Sequence, residues 1–154
     1  MRRPSLFIVA VSMIVAHTAN AADTVSASAC RLTPKQIVTR FMTTFYVDKK
    51  VREAFETWVD PGYIQHNPMA ATGREAAIGF LEPFVAQHPD MHYSIKRIIA
   101  DGNLVAVHSH GTMGGDDRGM VVVDILRVKG CKVVEHWDVV QAVPEKAANS
   151  NGMF

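Results

Sequence analysis

Two histidines and one aspartate carry the first chemical signal in this chain. His108-Ser109-His110 lies in a stretch of alternating residues, so both imidazoles project from one side of a strand. Leu104, Ala106 and Thr112 share that side, which suggests a wet pocket in an apolar wall. Asp124 stands inside Val121-Val122-Val123-Asp124-Ile125-Leu126. A carboxylate in so apolar a run loses its water, and burial penalises its charged form. That is the setting of a general acid or base. Tyr63-Ile64-Gln65-His66-Asn67-Pro68 adds a third imidazole. Pro68 ends any strand there and leaves His66 near a strand end, where binding groups gather. Glu135-His136-Trp137-Asp138 adds a fourth. His136 and Asp138 share one face; Glu135, Trp137 and Gln141 share the other. Parity alone does not say which face is inside.

Other chemistries fit less well. His66, His108 and His110 could form a three-histidine metal set, and an HxH strand pair opens the metal motif of cupins. The acidic ligand that such a motif needs is missing, because Thr112-Met113-Gly114-Gly115 follows. No bound metal and no organic cofactor are expected. Ser109 shares no face with the histidines and has no nucleophile-elbow glycines around it. Nor is there a phosphate-cradling loop or a dinucleotide fingerprint.

The elements that must position these groups fall into two halves. Thr33-Pro34-Lys35-Gln36 reads as a capping box with proline at the first helical position. Ile37, Val38, Phe41, Met42 and Phe45 follow at helical spacing. A second short helix fits Val51 to Trp58. Thr72-Gly73-Arg74-Glu75 reads as another capping box, opening a helix that Pro83 should kink or end. After Pro89 the period changes to two. Strands are expected over His92–Ala100, Leu104–Met113, Met120–Val128 and Lys132–Val143, joined by Gly-containing turns. Helices first and antiparallel strands after mean an α+β fold: a curved sheet with helices on one face.

Composition narrows the class. The chain has 154 residues, 48% hydrophobic, with 16 basic against 15 acidic side chains. No basic field is available to track a phosphate backbone, so nucleic acid is not an expected partner. The apolar content excludes a disordered chain. Met1-Arg2-Arg3, the apolar run from Leu6 to Ala16 and Ala19-Asn20-Ala21 form a secretory-signal pattern. The run is too short for a stable membrane anchor. Residues 1–21 are therefore expected to be a cleaved signal peptide, 22–31 a flexible leader, and 32–154 the domain. The destination is periplasmic or secreted. In an oxidising compartment the only two cysteines, Cys30 and Cys131, are expected to pair.

These segments, in this order, resemble the SnoaL-like proteins of the nuclear transport factor 2-like superfamily. The residues that carry the likeness are Tyr63–Pro68, Gly73-Arg74-Glu75-Ala76, Arg97–Gly102, Val105–His110, Val123–Val128 and Val134–Val139. It covers about residues 32–154. The tail Ala148–Phe154 is similar to that of a subgroup described as SnoaL-like aldol-condensation enzymes. The resemblance implies a cone-like α+β barrel, in which a strongly bent antiparallel sheet wraps around helices and leaves an apolar pocket. It also implies aldol-type acid/base chemistry without metal or organic cofactor. Asp124 matches the acid/base position of the polyketide cyclases. His110, with His108 as its alternative, matches the histidine beside it, and His66 matches a pocket-lining polar position.

The expected function is therefore exported acid/base catalysis on a small hydrophobic carbonyl compound: aldol condensation or cyclisation, isomerisation, or elimination. Asp124 and His110 are the expected catalytic pair. His66, His108, Trp58, Phe80 and Trp137 are expected to line the substrate pocket. A non-catalytic small-ligand or dimerisation module of the same fold is the alternative. A homodimer is also expected, because the family commonly pairs through the outer sheet face. Val105, Val107, Val121, Val123 and Ile125 read as an apolar set opposite His108 and Asp124.

Overall fold

The computed structural model describes residues 30–154. The expected signal peptide and nearly all of the leader lie outside the described residues. The capping box of the first helix, α1 (Pro34–Met42), forms as its sequence predicts. Gln36 N–H donates to Thr33 Oγ1 at 3.2 Å, and Thr33 N–H donates to Gln36 Oε1 at 2.9 Å. Ile37, Val38, Phe41 and Met42 are its buried face. The helix does not stop there. A π-helical turn, Thr43–Val47, continues it, with Asp48 N–H reaching back five residues to the Thr43 carbonyl. Such a turn changes which side chains point inward. It buries Phe45 and lays the Tyr46 ring flat on Tyr93, with centroids 3.7 Å apart.

The second helix, α2 (Val51–Trp58), runs directly into strand β1 (Val59–Gln65). The third, α3 (Arg74–Gln87), departs from expectation at its start and in its length. Gly73, at φ 103°, occupies its N-cap position, and no side chain caps it. Thr72 is not the cap because its hydroxyl accepts from Gln65 N–H at 3.0 Å. Pro83 does not end the helix, which continues to Gln87. Pro83 and Gly79 both lie on the exposed side, so the Gly79 carbonyl that loses its helical partner can be met by water.

Four further strands follow: β2 (His92–Asp101), β3 (Leu104–Thr112), β4 (Met120–Lys129) and β5 (Lys132–Ala142). They give a five-stranded sheet in the order β1-β5-β4-β3-β2, curled but not closed. All pairs are antiparallel except β1 with β5, which run parallel. Helix α1 packs across the inner face against Val105, Val107, Val122, Leu126, Val128 and Val133.

Register decides what each strand offers to that core. Val107 pairs with Asp124, and Asp124 pairs with Asp138, so these residues and their even-spaced neighbours share the inner face. His108 pairs with Val123 and His110 with Val121. The expected apolar set is therefore split. Val105 and Val107 point inward with Asp124, while Val121, Val123 and Ile125 point outward with His108 and His110. Alternation fixes the faces within one strand, but the phase between two strands is set by their register, which a single sequence does not display.

Cys30 and Cys131 form a disulfide, with Cα atoms 5.4 Å apart. Cys131 follows Gly130 in the β4–β5 hairpin, and both have positive φ, as a tight two-residue turn of the I′ kind needs. The bridge spans a sequence separation of 101 and ties the segment before α1 to the hairpin. Serine at both positions is expected to lower unfolding free energy by about 2–4 kcal/mol. Guanidinium titration of the double variant beside the oxidised protein measures it; coincident curves would show that the bridge contributes nothing.

Candidate active site

The curled sheet and the helices enclose a cavity of about 140 Å³. Phe41, Phe45, Phe55 and Leu81 form part of its apolar wall, with Phe80 at the exposed edge. Its polar wall is Tyr63, Gln65, Asn67, Asp124, His136 and Asp138. A second lobe of about 320 Å³ shares Tyr46, Asn67, Asp124 and Asp138 with the first.

Asp124 is the centre of this wall and is 3% exposed. One carboxylate oxygen accepts from the Tyr93 hydroxyl at 2.8 Å. The other lies 3.0 Å from His136 Nε2. The parallel pairing of β1 with β5 sets Gln65 beside His136, and His136 Nδ1 lies 2.9 Å from Gln65 Oε1. The orientation of that amide is fixed, because Gln65 Oε1 also accepts from the backbone N–H of Asn67 at 3.0 Å. His136 Nδ1 must therefore carry a proton and donate it to Gln65. With Nδ1 so occupied, Asp124 and His136 hold one further proton between Oδ1 and Nε2. The pair is an imidazolium with a carboxylate, or an imidazole with a carboxylic acid, and neutral in either form.

The same amide organises a second donor. Gln65 Nε2–H donates to the Tyr63 hydroxyl at 3.1 Å, which leaves the Tyr63 proton for the cavity. Burial raises the Tyr63 pKa, and the charges of Asp124 and Asp138 raise it further, so the phenol stays protonated. Tyr46 and Tyr93 are also held protonated, foremost by burial. Asp138 is fixed by Asn67, whose Nδ2 donates to both of its oxygens at 3.0 and 2.8 Å.

Among the described residues, Asp124, His136 and Asp138 are a set whose donor atoms could converge on a metal ion, lying within 4.8 Å of one another. All three are already hydrogen-bonded as described. A cation would have to displace Tyr93 or Asn67 and part His136 from Asp124, so the set as arranged does not fit a resident metal.

Of the residues expected at the site, Asp124 and Phe80 line the cavity. The others do not. His110 is on the opposite face of the sheet from Asp124, so the expected Asp124–His110 pair does not form. Its Nε2–H donates to the Arg118 carbonyl at 2.8 Å, and its ring meets Phe154 at 4.3 Å. His108, on the same outer face, lies 2.8 Å from Arg97 through Nδ1. Trp58 ends α2 beneath Arg40 and is not among the lining residues. His66 and Trp137 also point outward. Their rings stack 4.7 Å apart and Arg127 lies over Trp137. Gln65, the last residue of β1, pairs with His136, so His66 directly after it faces the other way.

The histidine that belongs to the site is His136. Its alternation with Asp138 was readable, but the choice of face needed the Asp124–Asp138 register. Tyr63, Gln65 and Asn67 stand in the segment that drew notice for His66. Tyr46 left no readable signal, since an ordinary helix would not aim it inward.

A scan of family models matches the SnoaL-like domain over residues 38–136. The chain belongs to the SnoaL-like family. Solved structures share its fold. A SnoaL-like protein of unknown function from Burkholderia thailandensis superposes with TM-score 0.60 at 16% identity, over 70% or more of either chain (71% of this one and 95% of that one). IdmH from Streptomyces antibioticus, a candidate polyketide cyclase, gives 0.54 at 22%, covering 71% and 92%. A nuclear transport factor 2-like protein of unknown function from Cytophaga hutchinsonii gives 0.58 at 13%, covering 73% and 93%. No curated protein matches the chain. At these identities the likeness is one of fold, and the chemistry of this SnoaL-like protein has to come from its own cavity.

The outer face carries its own charged cluster, which bears on stability. Glu135 accepts from Arg127 Nε at 2.7 Å and lies 2.8 Å from His66 Nε2. The hydrogen bond from Arg127, then that from His66, holds its carboxyl below the ordinary value of 4.5. The folded chain thus releases this proton at lower pH than the unfolded chain. The stabilisation is complete above the ordinary carboxylate range and fades as pH falls through the depressed value. Glu135→Gln is expected to be less stable than wild type at neutral pH, with the gap closing as the solution is acidified. Thermal melts across that range test it; a gap independent of pH would contradict the assignment.

Proposed function

We propose that this SnoaL-like protein is an exported, cofactor-independent enzyme that removes a proton next to a carbonyl of a small hydrophobic compound. Aldol condensation or cyclisation, isomerisation and elimination all begin with that step. The observation that carries the reading is Asp124: a nearly buried carboxylate on a cavity wall, backed by a histidine whose other nitrogen is fixed by Gln65. Among the described residues no arginine is hydrogen-bonded to it.

In its ionised form Asp124 takes the carbon-bound proton. His136, as imidazolium, keeps Asp124 charged before the step and supplies positive charge beside the enolate after it. The Tyr63 hydroxyl donates to the developing enolate oxygen, its own oxygen held by Gln65. It makes that donation as a neutral phenol because its pKa is raised. A positioned base of this kind contributes roughly 10²–10⁴-fold, and a preorganised donor to the oxyanion supplies much of the remainder.

Export is supported by the signal-like N-terminus and by the Cys30–Cys131 bridge, since such bonds persist in oxidising compartments. A homodimer is part of the same reading. The outer face presents Val123, Ile125 and Val139, the last 67% exposed. Light scattering at micromolar concentration is expected to give twice the chain mass, and a pure monomer would remove this part.

The decisive experiment is deuterium exchange at the α-carbon of 2-tetralone, followed by proton NMR in heavy water. The protein is expected to accelerate exchange over buffer. Asp124→Asn should lower the enzymatic rate at least 100-fold, and Tyr63→Phe should lower it while leaving the fold intact by circular dichroism. Wild-type exchange at the buffer rate would sink the enzymatic reading for this substrate class, and equal rates in wild type and Asp124→Asn would sink the role of Asp124.

A further inference from the structure

We infer that the cavity selects a molecule bearing a hydrogen-bond donor, excludes carboxylates and other anions, and makes this choice through Asp138. The inference rests on reading the cavity as a ligand site, and it concerns which ligands enter rather than what happens to them.

Three observations lead here. First, among the described residues no lysine or arginine lines either lobe. A buried anion needs a cationic partner or several aimed donors, and the wall's one possible cation, His136, is already paired with Asp124. Second, the two carboxylates at the junction of the lobes are not equivalent. Asp124 shares a proton with His136, and that pair is neutral as a unit. Asp138 receives only the neutral amide of Asn67, so its charge has no counter-ion among its hydrogen-bond partners. An anion placed beside it would meet uncompensated like charge across a mostly apolar space, where screening is weak. Third, Asn67 is itself held. Its Oδ1 accepts from Met69 N–H at 2.8 Å, so Nδ2 stays on Asp138 and the carboxylate cannot turn away.

An ionised carboxylate only accepts hydrogen bonds. The ligand group that meets it must therefore donate: an alcohol, a phenol or an amide N–H. An ammonium would donate too, with Asp138 as its counter-ion, so the discrimination is against anions. The class that remains is a largely apolar, non-anionic molecule with a hydroxyl or N–H placed at the junction of the lobes.

The test is calorimetric binding to the full oxidised protein of two probes of matched size, 4-hydroxybiphenyl and biphenyl-4-carboxylate, at neutral pH. The phenol is expected to bind at least tenfold more tightly than the carboxylate. Asp138→Asn should shrink that ratio several-fold, mainly by strengthening the carboxylate. A carboxylate that binds as well as the phenol, a ratio unchanged in Asp138→Asn, or no binding of either probe at its solubility limit would each overturn the inference. If Asp138→Asn does not fold by circular dichroism, the wild-type ratio decides alone. The outcomes separate from those of isotope exchange. Selectivity without exchange leaves a selective binding pocket and removes the enzyme; exchange without selectivity removes only this inference.

Discussion

Asp124 is carried into the core by its register with Val107 on one side and Asp138 on the other, and a carboxylate so placed must be met by donors. Much of the inner wall follows from that requirement. Tyr93 satisfies one oxygen and His136 the other. His136 in turn needs an acceptor for its second nitrogen, which Gln65 supplies from β1. Gln65 needs its amide oriented, and the Asn67 N–H does this. Asn67 then reaches back to Asp138. One buried charge thus links four strands, β1, β2, β4 and β5, through a continuous polar chain. The parallel β1–β5 pairing, unusual in an otherwise antiparallel sheet, closes the chain by bringing Gln65 level with His136. Partly satisfied buried networks are costly, so these residues stand or fall as a group.

Most of the fold was legible in the sequence. The capping box at Thr33, the extent of α2 and the spans of all four long strands follow from local chemistry and periodicity, and those are properties of neighbouring residues. The capping box at Thr72 failed because another group competed, and at Pro83 the helix does not take the expected end. The Thr72 hydroxyl serves Gln65 rather than the helix, and Pro83 lies where solvent can meet the carbonyl it leaves unpaired. The π-helical turn was invisible, because no side-chain pattern announces one extra residue in a helical turn.

The site was half legible for a related reason. Asp124 stood out because a charge inside an aliphatic run is a contradiction that demands partners. Choosing the right histidine required the phase between strands. Six histidines lie between His66 and His136 inclusive, and residue type does not tell the one facing the cavity from those on the outside. His66, His108 and His110 all prove to be surface groups engaged with Glu135, Arg97 and Arg118. The outward set also explains why aromatic residues misled. Trp137 packs against His66 and Arg127 and is satisfied there, without a ligand.

The bridge between Cys30 and Cys131 bears on how the chain matures. A chain with two cysteines has a single possible intramolecular pairing, so oxidation needs no reshuffling and no isomerase to correct it. Cys30 precedes every described helix and strand, whereas Cys131 arrives between the last two strands, after Asp124 but before His136 and Asp138. During synthesis the first thiol therefore waits while almost the whole domain is made. Its partner comes to hand when the β4–β5 hairpin turns. By chain order the bond can close only after four of the five strands have been made.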